Sequence, residues 1–300
     1  MKKMLICLLL LFCLVGCKPN KLDNEVSIIV PNGIPYLAVA GIKEEINIKM
    51  DTVSGAENLQ AALLGNNYDI VIAPINLGAK LYGASKSSYK LVAPITYNNA
   101  YIVGRSHLNL ESLNDLSAKS VIAFGQTGIP GSILTKIYHD NNDILDINDV
   151  DFSLNSSANV YASFLGEDNK NKYALMSEPE ISKLKLINNI DIKTLDLCSI
   201  LDINIAQAAI FVNPNSNKED IDIVLEKIKI NIRYLNESPI MYVDKVLKLD
   251  EQFFLFFFLD IMINMIPNAN IKYGIESRKT DCEVMVNLLG IKGVNDEFYY

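Results

Sequence analysis

The order of predicted elements points to an α/β fold of mostly parallel sheets, laid down in two successive blocks. Three observations carry this reading. Short β-rich apolar runs alternate with helix-period stretches, the mark of strand–helix units. Half of the 300 residues are hydrophobic and 21% are charged, enough apolar material for one or two globular units with a sizeable core. The alternation pauses near Ser106 and then resumes.

The first block opens with an apolar strand, Val26–Val30, broken by Pro31-Asn32-Gly33 and followed by a helical stretch from Tyr36 to Ile42. Ile46–Val53 reads as the next strand. Ser54 then stands as the N-cap of a helix, with Glu57 as its capping-box partner. Tyr68–Ala73 is a third strand ended by Pro74, and a helix covers about Asn76 to Tyr82. Strands at Tyr89–Pro94 and Ala100–Gly104 close the block.

In the second block a short helix at Leu110–Leu116 precedes the strand Ser120–Phe124. That strand runs into Gly125-Gln126-Thr127-Gly128-Ile129-Pro130-Gly131 and a helix to about His139. A strand at Val150–Leu154, a helix at Ala158–Leu165 and a strand at Tyr173–Met176 repeat the pattern. A long apolar strand at Ile205–Val212 leads through Asn213-Pro214-Asn215-Ser216 to a helix over about Lys218–Leu235, and further helical segments follow. The run Phe253–Phe258 is too short, and too soon interrupted by Asp260, to span a bilayer; it reads as a core helix.

The N-terminus carries a separate signal. Lys2 and Lys3 precede an apolar run, Leu5–Val15, of about 11 residues, against the roughly 20 that a membrane-spanning helix needs. It matches the apolar region of a secretory signal. The run ends in Leu14-Val15-Gly16-Cys17, which resembles the bacterial lipobox, and Lys18-Pro19-Asn20-Lys21 turns abruptly polar. Residues 1–16 are therefore expected to be cleaved, Cys17 to carry lipid, and residues 17–24 to form a tether, with two or three acyl chains making a stable anchor. The expected location is extracytoplasmic, at the membrane surface. Cys7 and Cys13 would leave with the signal, so Cys198 and Cys282 alone remain in the body. Two buried free thiols are expected there, with a disulfide as the alternative. A net charge of −8 and scattered Lys and Arg give no track for a phosphate backbone, so nucleic acid is not an expected partner.

Taken in order, these pieces resemble the type II periplasmic-binding-protein fold, in particular its nitrate, sulfonate and thiamine-precursor group. The stretches that carry the resemblance are Ser54–Pro74, Leu110–Ile133, the strand-Glu-Pro step Tyr173–Glu180, and Phe211–Leu235 with the Asn236-Glu237-Ser238-Pro239 turn. The resemblance implies two lobes around a binding cleft. Residues 25–104 and 205–300 would form lobe 1 and residues 105–204 lobe 2, with Tyr101–Arg105 and Asn204–Ala208 as crossing strands at the hinge. Pockets also favour lobe interfaces and the carboxyl ends of strands in open α/β sheets.

Candidate ligand contacts follow from the loops that leave those strand ends. Asn32 and Gly33 lie in the first, where Tyr36 would stack on or hydrogen-bond to a ligand. Ser54 and Gly55 open a helix whose free N–H groups suit an anion. Asn76 follows the third strand, while Tyr97 and Asn98 precede the crossover. In the second lobe, Thr127 and Gly128 belong to a loop with three glycines in seven residues, and Glu178 begins the step after Met176. That loop has neither the lysine nor the spacing of a P-loop or dinucleotide fingerprint.

No enzyme, metal or cofactor is expected. His107 and His139 stand far apart without ligand-like partners, and there is no Gly-x-Ser-x-Gly elbow. Pyrimidine-synthesising enzymes of the same fold carry a cysteine-rich iron segment that has no counterpart here. The function implied is capture of a small polar or anionic solute, sulfonate, nitrate or thiamine-precursor-like, by a monomeric lipoprotein. It would deliver that solute to an ABC permease and its ATPase subunits. The alternative is a sensing or surface lipoprotein of the same fold, which the absence of neighbouring permease and ATPase genes would favour.

Overall fold

The structure, a computed structural model, describes residues 21–45, 47–249 and 259–300. The expected signal at 1–16, Cys17, and the expected core helix at Phe253–Phe258 lie outside the described residues. The first series of elements is β1 (Val26–Pro31), α1 (Ile34–Leu37), β2 (Ile48–Val53), α2 (Ala56–Gly65), β3 (Ile70–Pro74), α3 (Ile75–Gly83) and β4 (Lys90–Tyr97). The second is β5 (Tyr101–Arg105), β6 (Val121–Phe124), α4 (Ile129–Asp140), β7 (Val150–Leu154), α5 (Ser157–Phe164), β8 (Tyr173–Met176), α6 (Glu180–Leu186), β9 (Ile192–Asp196) and α7 (Leu197–Ile200). The chain then returns through β10 (Ala206–Val212), α8 (Lys218–Glu237), α9 (Pro239–Leu249), α10 (Leu259–Met265) and α11 (Arg278–Leu288).

These strands form two five-stranded sheets, ordered β2-β1-β3-β10-β4 and β7-β6-β8-β5-β9. In each, a single strand runs against its neighbours: β10 is antiparallel to β3 and β4, and β5 is antiparallel to β8 and β9. The sheets are therefore mixed where mostly parallel ones were expected. The reason is connectivity. The chain leaves the first sheet at the end of β4 and at once enters the second as its reversed strand. It later comes back as the reversed strand of the first. Residues 101–104, expected with the first lobe, accordingly pair inside the second sheet. The crossings are the short segments 98–100 and 201–205, not the strands themselves.

Apolar burial explains the layering. One cluster covers a face of the first sheet with residues of α8, α9 and α10, including Ile228, Tyr242 and Met262. A second joins Leu59 and Phe211 on the other face to Ile133 and Leu175 in the second lobe, so continuous core passes through the junction. A third packs α5 and α6 on the remaining face, around Phe164 and Leu184. Edge strand β4 is covered by the C-terminal segment, with Tyr300 N–H donating to Leu91 O at 2.9 Å and Gly274 N–H to Pro94 O at 2.9 Å.

Three local expectations are corrected. The stretch Tyr36–Ile42 is α1 followed by a 3₁₀ turn at Ala40–Ile42. Side chains replace the missing helical bonds: Asn231 Nδ2 donates to Ala38 O at 2.8 Å, and Tyr242 donates to Leu37 O. Gly41 permits this approach, because a Cβ there would lie 2.0 Å from Asn231 Oδ1. Leu110–Leu116 contributes only a 3₁₀ turn at Leu113–Leu116, closed by a Ser112–Asp115 capping box. Residues 22–24, expected in the tether, are packed onto the body. Leu22 is buried, and Asp220 accepts from Asp23 N–H at 2.8 Å and from Asn24 Nδ2 at 2.8 Å.

Candidate functional site

Strand direction places the carboxyl ends of β1 and β3 opposite those of β6 and β8, and a cleft of about 610 Å³ opens between them. That volume falls in the usual range for small-molecule sites, roughly 300–1,000 Å³. The first lobe contributes the β1–α1 turn (Pro31–Pro35), the start of α3, and Gln207 at the start of β10. The second contributes Thr127–Pro130 at the head of α4, with Glu178 and Pro179 after β8.

Backbone geometry shapes both walls. Gly33, at φ +102°, allows the turn from β1 into α1. In the 125–131 loop, Gly125 is left-handed, Gly128 N–H donates to Gly125 O at 2.8 Å, and a Cβ at Gly131 would lie 2.2 Å from that same oxygen. The glycines thus fold the loop back on the first turn of α4.

The floor of the cleft is the double crossing. Asn98 and Asn99 are consecutive left-handed residues, a conformation asparagine adopts more readily than most. Asn98 ties the crossings together: its N–H donates to Ile205 O at 2.8 Å, and its Oδ1 accepts from Ile205 N–H at 2.9 Å. Asn99 ties the crossing to the second lobe, accepting from Glu178 N–H at 2.6 Å and donating to Glu178 O at 3.3 Å. Glu178 itself is 5% exposed. Its carboxyl accepts from Ser182 N–H at 3.0 Å and from Asn268 Nδ2 of the first lobe at 3.5 Å. Burial pushes its pKa up, against those donors and the more distant Lys185.

Of the residues singled out in the sequence, Asn32, Gly33, Asn76, Thr127, Gly128 and Glu178 line the cleft. Tyr36 and Tyr97 do not; both are fully buried. Tyr36 sits in the core beneath the first sheet. Tyr97 turns away toward α11 and donates to Asp281 Oδ2 at 2.7 Å. Ser54 is exposed and accepts from Asn32 Nδ2 at 3.0 Å. The N-cap of α2 is Gly55 at φ +89°, one residue later than expected, and glycine has no side chain to cap the helix. Neither lines the cleft, although Ala56 does. Asn98 holds the crossings instead of facing a ligand.

Asn99, from the Tyr97-Asn98-Asn99 stretch expected before the crossover, does line the cleft, whereas sequence reasoning missed Lys80, Thr96 and Gln207, all in the lining. Two of these had a readable signal. Lys80 lies four residues after Asn76 on α3 and so shares its face. Gln207 is the sole polar residue of β10. Its Nε2 is buried and has no hydrogen-bond partner among the described residues.

Away from the cleft, Cys198 and Cys282 are free and buried, and burial raises their pKa values to about 12 and about 11. His107 shares a hydrogen-bond contact with Asn171 and the His139 ring is largely exposed. Among the described residues no cluster of His, Cys, Asp or Glu could hold a metal, and no helix is long and apolar enough to cross a membrane.

No protein-family model matches this sequence, and no curated protein is similar to it. Solved structures are similar. An ABC transporter protein from Parabacteroides distasonis superposes with a TM-score of 0.73 at 17% identity, over 93% of this chain and 99% of that one. The periplasmic aliphatic sulphonate binding protein SsuA from Escherichia coli gives 0.70 at 11% identity, over 93% and 92%. The ligand-binding component of an ABC-type import system from Staphylococcus aureus, solved with zinc bound, gives 0.69 at 14% identity, over 93% and 97%. The chain has the two-lobed type II periplasmic-binding-protein fold, as the resemblance in sequence order implied.

Proposed function

We propose that this chain is the extracytoplasmic solute-binding lipoprotein of an ABC importer, and that it captures a small polar or anionic solute between its lobes. The observation that carries the reading is the interlobe cleft, where Gln207 offers a buried donor with no partner. An unpaired buried donor costs about 1–3 kcal/mol, and a ligand acceptor placed there removes that cost. Among the described residues, 25–45, 47–97, 206–249 and 259–300 make up one lobe and 101–200 the other, and the paired crossings at Asn98 and Ile205 act as the hinge. A ligand that touches both walls at once binds the closed form better than the open one, and that difference alone shifts the population toward closure. Lipid on Cys17 holds the body at the membrane, where a permease receives the closed form. Glu178, Asn32, Asn76, Thr127 and Gly128 are the contacts assigned to the ligand.

A thermal-shift screen of the purified protein tests this, with sulfonates, nitrate, aminopyrimidines and amino acids as the panel. A saturable rise in melting temperature is expected for at least one member, since a ligand that binds only the folded state stabilises it. Asn76→Ala and Gln207→Leu should each weaken that ligand at least tenfold. A panel without any saturable shift, or binding untouched by both substitutions, would overturn the proposal.

A further inference from the structure

Among the described residues, the cleft carries one charged residue from each lobe, Lys80 and Glu178, in a lining that is otherwise uncharged. Lys80 stands at one end: it also lines the adjoining groove against α11, together with Thr127, and its Nζ has no hydrogen bond or ion pair among the described residues. Glu178 stands on the other lobe, where Asn268, in the 3₁₀ turn after α10, reaches its carboxyl. The same wall also carries Ile34, Pro35, Leu77, Ile129 and Pro130 and is largely apolar. Among the described residues, no aromatic ring and no arginine belongs to the lining. A purely anionic solute would meet Lys80 favourably but would also lie beside a buried carboxyl, which repels it. A purely cationic one would leave Lys80 idle.

We infer that the solute is a small zwitterion, an ω-amino acid in the broad sense, whose ammonium pairs with Glu178 and whose sulfonate or carboxylate faces Lys80. This assignment rests on the solute-binding reading and narrows it. Charges buried in a cleft need a partner of opposite sign, because the protein interior does not solvate them as water does. An ammonium gives Glu178 a directly paired cation; its present partners are the Ser182 hydroxyl and N–H and a long amide contact from Asn268, with Lys185 acting only from farther off. The apolar wall suits a methylene spacer, and the Gln207 amide supplies a further donor to the acid end.

Calorimetry on the purified protein tests this with matched triplets of two to six carbons. Each triplet holds an ω-amino acid, the acid without the amine, and the amine without the acid; sulfonate and carboxylate series are run side by side. At the best length, the zwitterion should bind at least tenfold tighter than either single-charge analogue. Glu178→Gln should lower zwitterion affinity at least tenfold and change that of the simple acid less than twofold. Lys80→Met, at an exposed position that does not threaten folding, should weaken the zwitterion and the simple acid several-fold but leave the amine unchanged. Equal affinity for the zwitterion and the simple acid would overturn the assignment, as would the absence of binding throughout both series. In the second case, a neutral solute that still raises the melting temperature would leave the solute-binding reading standing. A complete lack of response to every solute would remove both.

Discussion

Removing the hydroxyl of Tyr97 separates a structural role at the crossing from a role in the cleft. The sequence places Tyr97 among candidate ligand contacts, yet the structure buries its ring fully and aims its hydroxyl at Asp281, 2.7 Å away. Asp281 also accepts from Ser277 Oγ at 2.6 Å and, weakly, from Asn204 Nδ2 at 3.5 Å. It therefore gathers β4, the returning crossing and α11 at one point. Tyr97→Phe keeps the ring, and with it the contact of Lys272 Nζ 3.9 Å above the centroid. What is lost is one buried hydrogen bond to a carboxylate, worth about 1.5–3 kcal/mol. With a urea slope of about 3 kcal/mol/M, the unfolding midpoint should fall by roughly 0.5–1 M. Ligand affinity, measured by calorimetry on the same preparation, should stay within about twofold, because no atom of the cleft lining changes. An unchanged midpoint combined with a tenfold loss of affinity would refute the reasoning and return Tyr97 to the cleft.

Three further outcomes follow from the same geometry. Gly131→Ala gains helix propensity of about 1 kcal/mol but drives a Cβ to 2.2 Å from Gly125 O, a backbone atom that must move. Urea unfolding should show a net loss of about 1–2 kcal/mol, and calorimetry weakened ligand binding, since Thr127 and Gly128 move with the loop. Glu178→Gln should alter stability in a pH-dependent way in the ligand-free protein. Burial raises the native pKa, so the stabilising contribution of the protonated group is complete below about 4.5, the unfolded value, and is lost as pH climbs through the raised native value. Neighbouring Lys185 opposes that rise, while Tyr101 on β5 is itself pushed up to about 12 and stays neutral over this range. The glutamine variant lacks this loss, so its stability relative to the parent should grow from pH 4 to pH 7; a difference that is flat with pH contradicts the account. Finally, Cys198 and Cys282 should resist a thiol reagent in the native protein and react on unfolding, as read by mass spectrometry, because both are buried with thiolates disfavoured.

How much of this was legible in the sequence depends on the length scale involved. Strand extents were legible where the pattern is short and regular: alternating β7 and apolar β8 coincide with their expected limits. Strand direction was not legible. The reversal of β5 and β10 comes from which sheet the chain enters after each crossing, and nothing local to Tyr101–Arg105 or Ala206–Val212 encodes that choice. Edge strand β9, Ile192–Asp196, escaped notice because its half-exposed, mixed residues resemble loop. In the site, turn residues next to strand ends were legible, since Asn32, Gly33 and Asn76 sit where backbone geometry requires them. The tyrosines misled for a physical reason: their rings pack in cores as readily as against ligands, and only tertiary contacts such as Tyr97 to Asp281 decide between the two. Lys80 and Gln207 were each marked locally, by the face shared with Asn76 and by a lone polar side chain in β10, but only the fold shows that α3 and β10 meet at one wall.

The most direct test measures the distance between the two cleft walls. Glu57, on α2, and Asn155, just past β7, are exposed residues beyond corresponding strands of the two sheets. Glu57→Cys and Asn155→Cys in one chain can carry paired spin labels while the buried native thiols stay unlabelled. Addition of a saturating ω-amino acid or other confirmed ligand should shorten and narrow the inter-label distance distribution, and removal should restore it. An unaltered distribution at full occupancy would contradict capture between moving lobes.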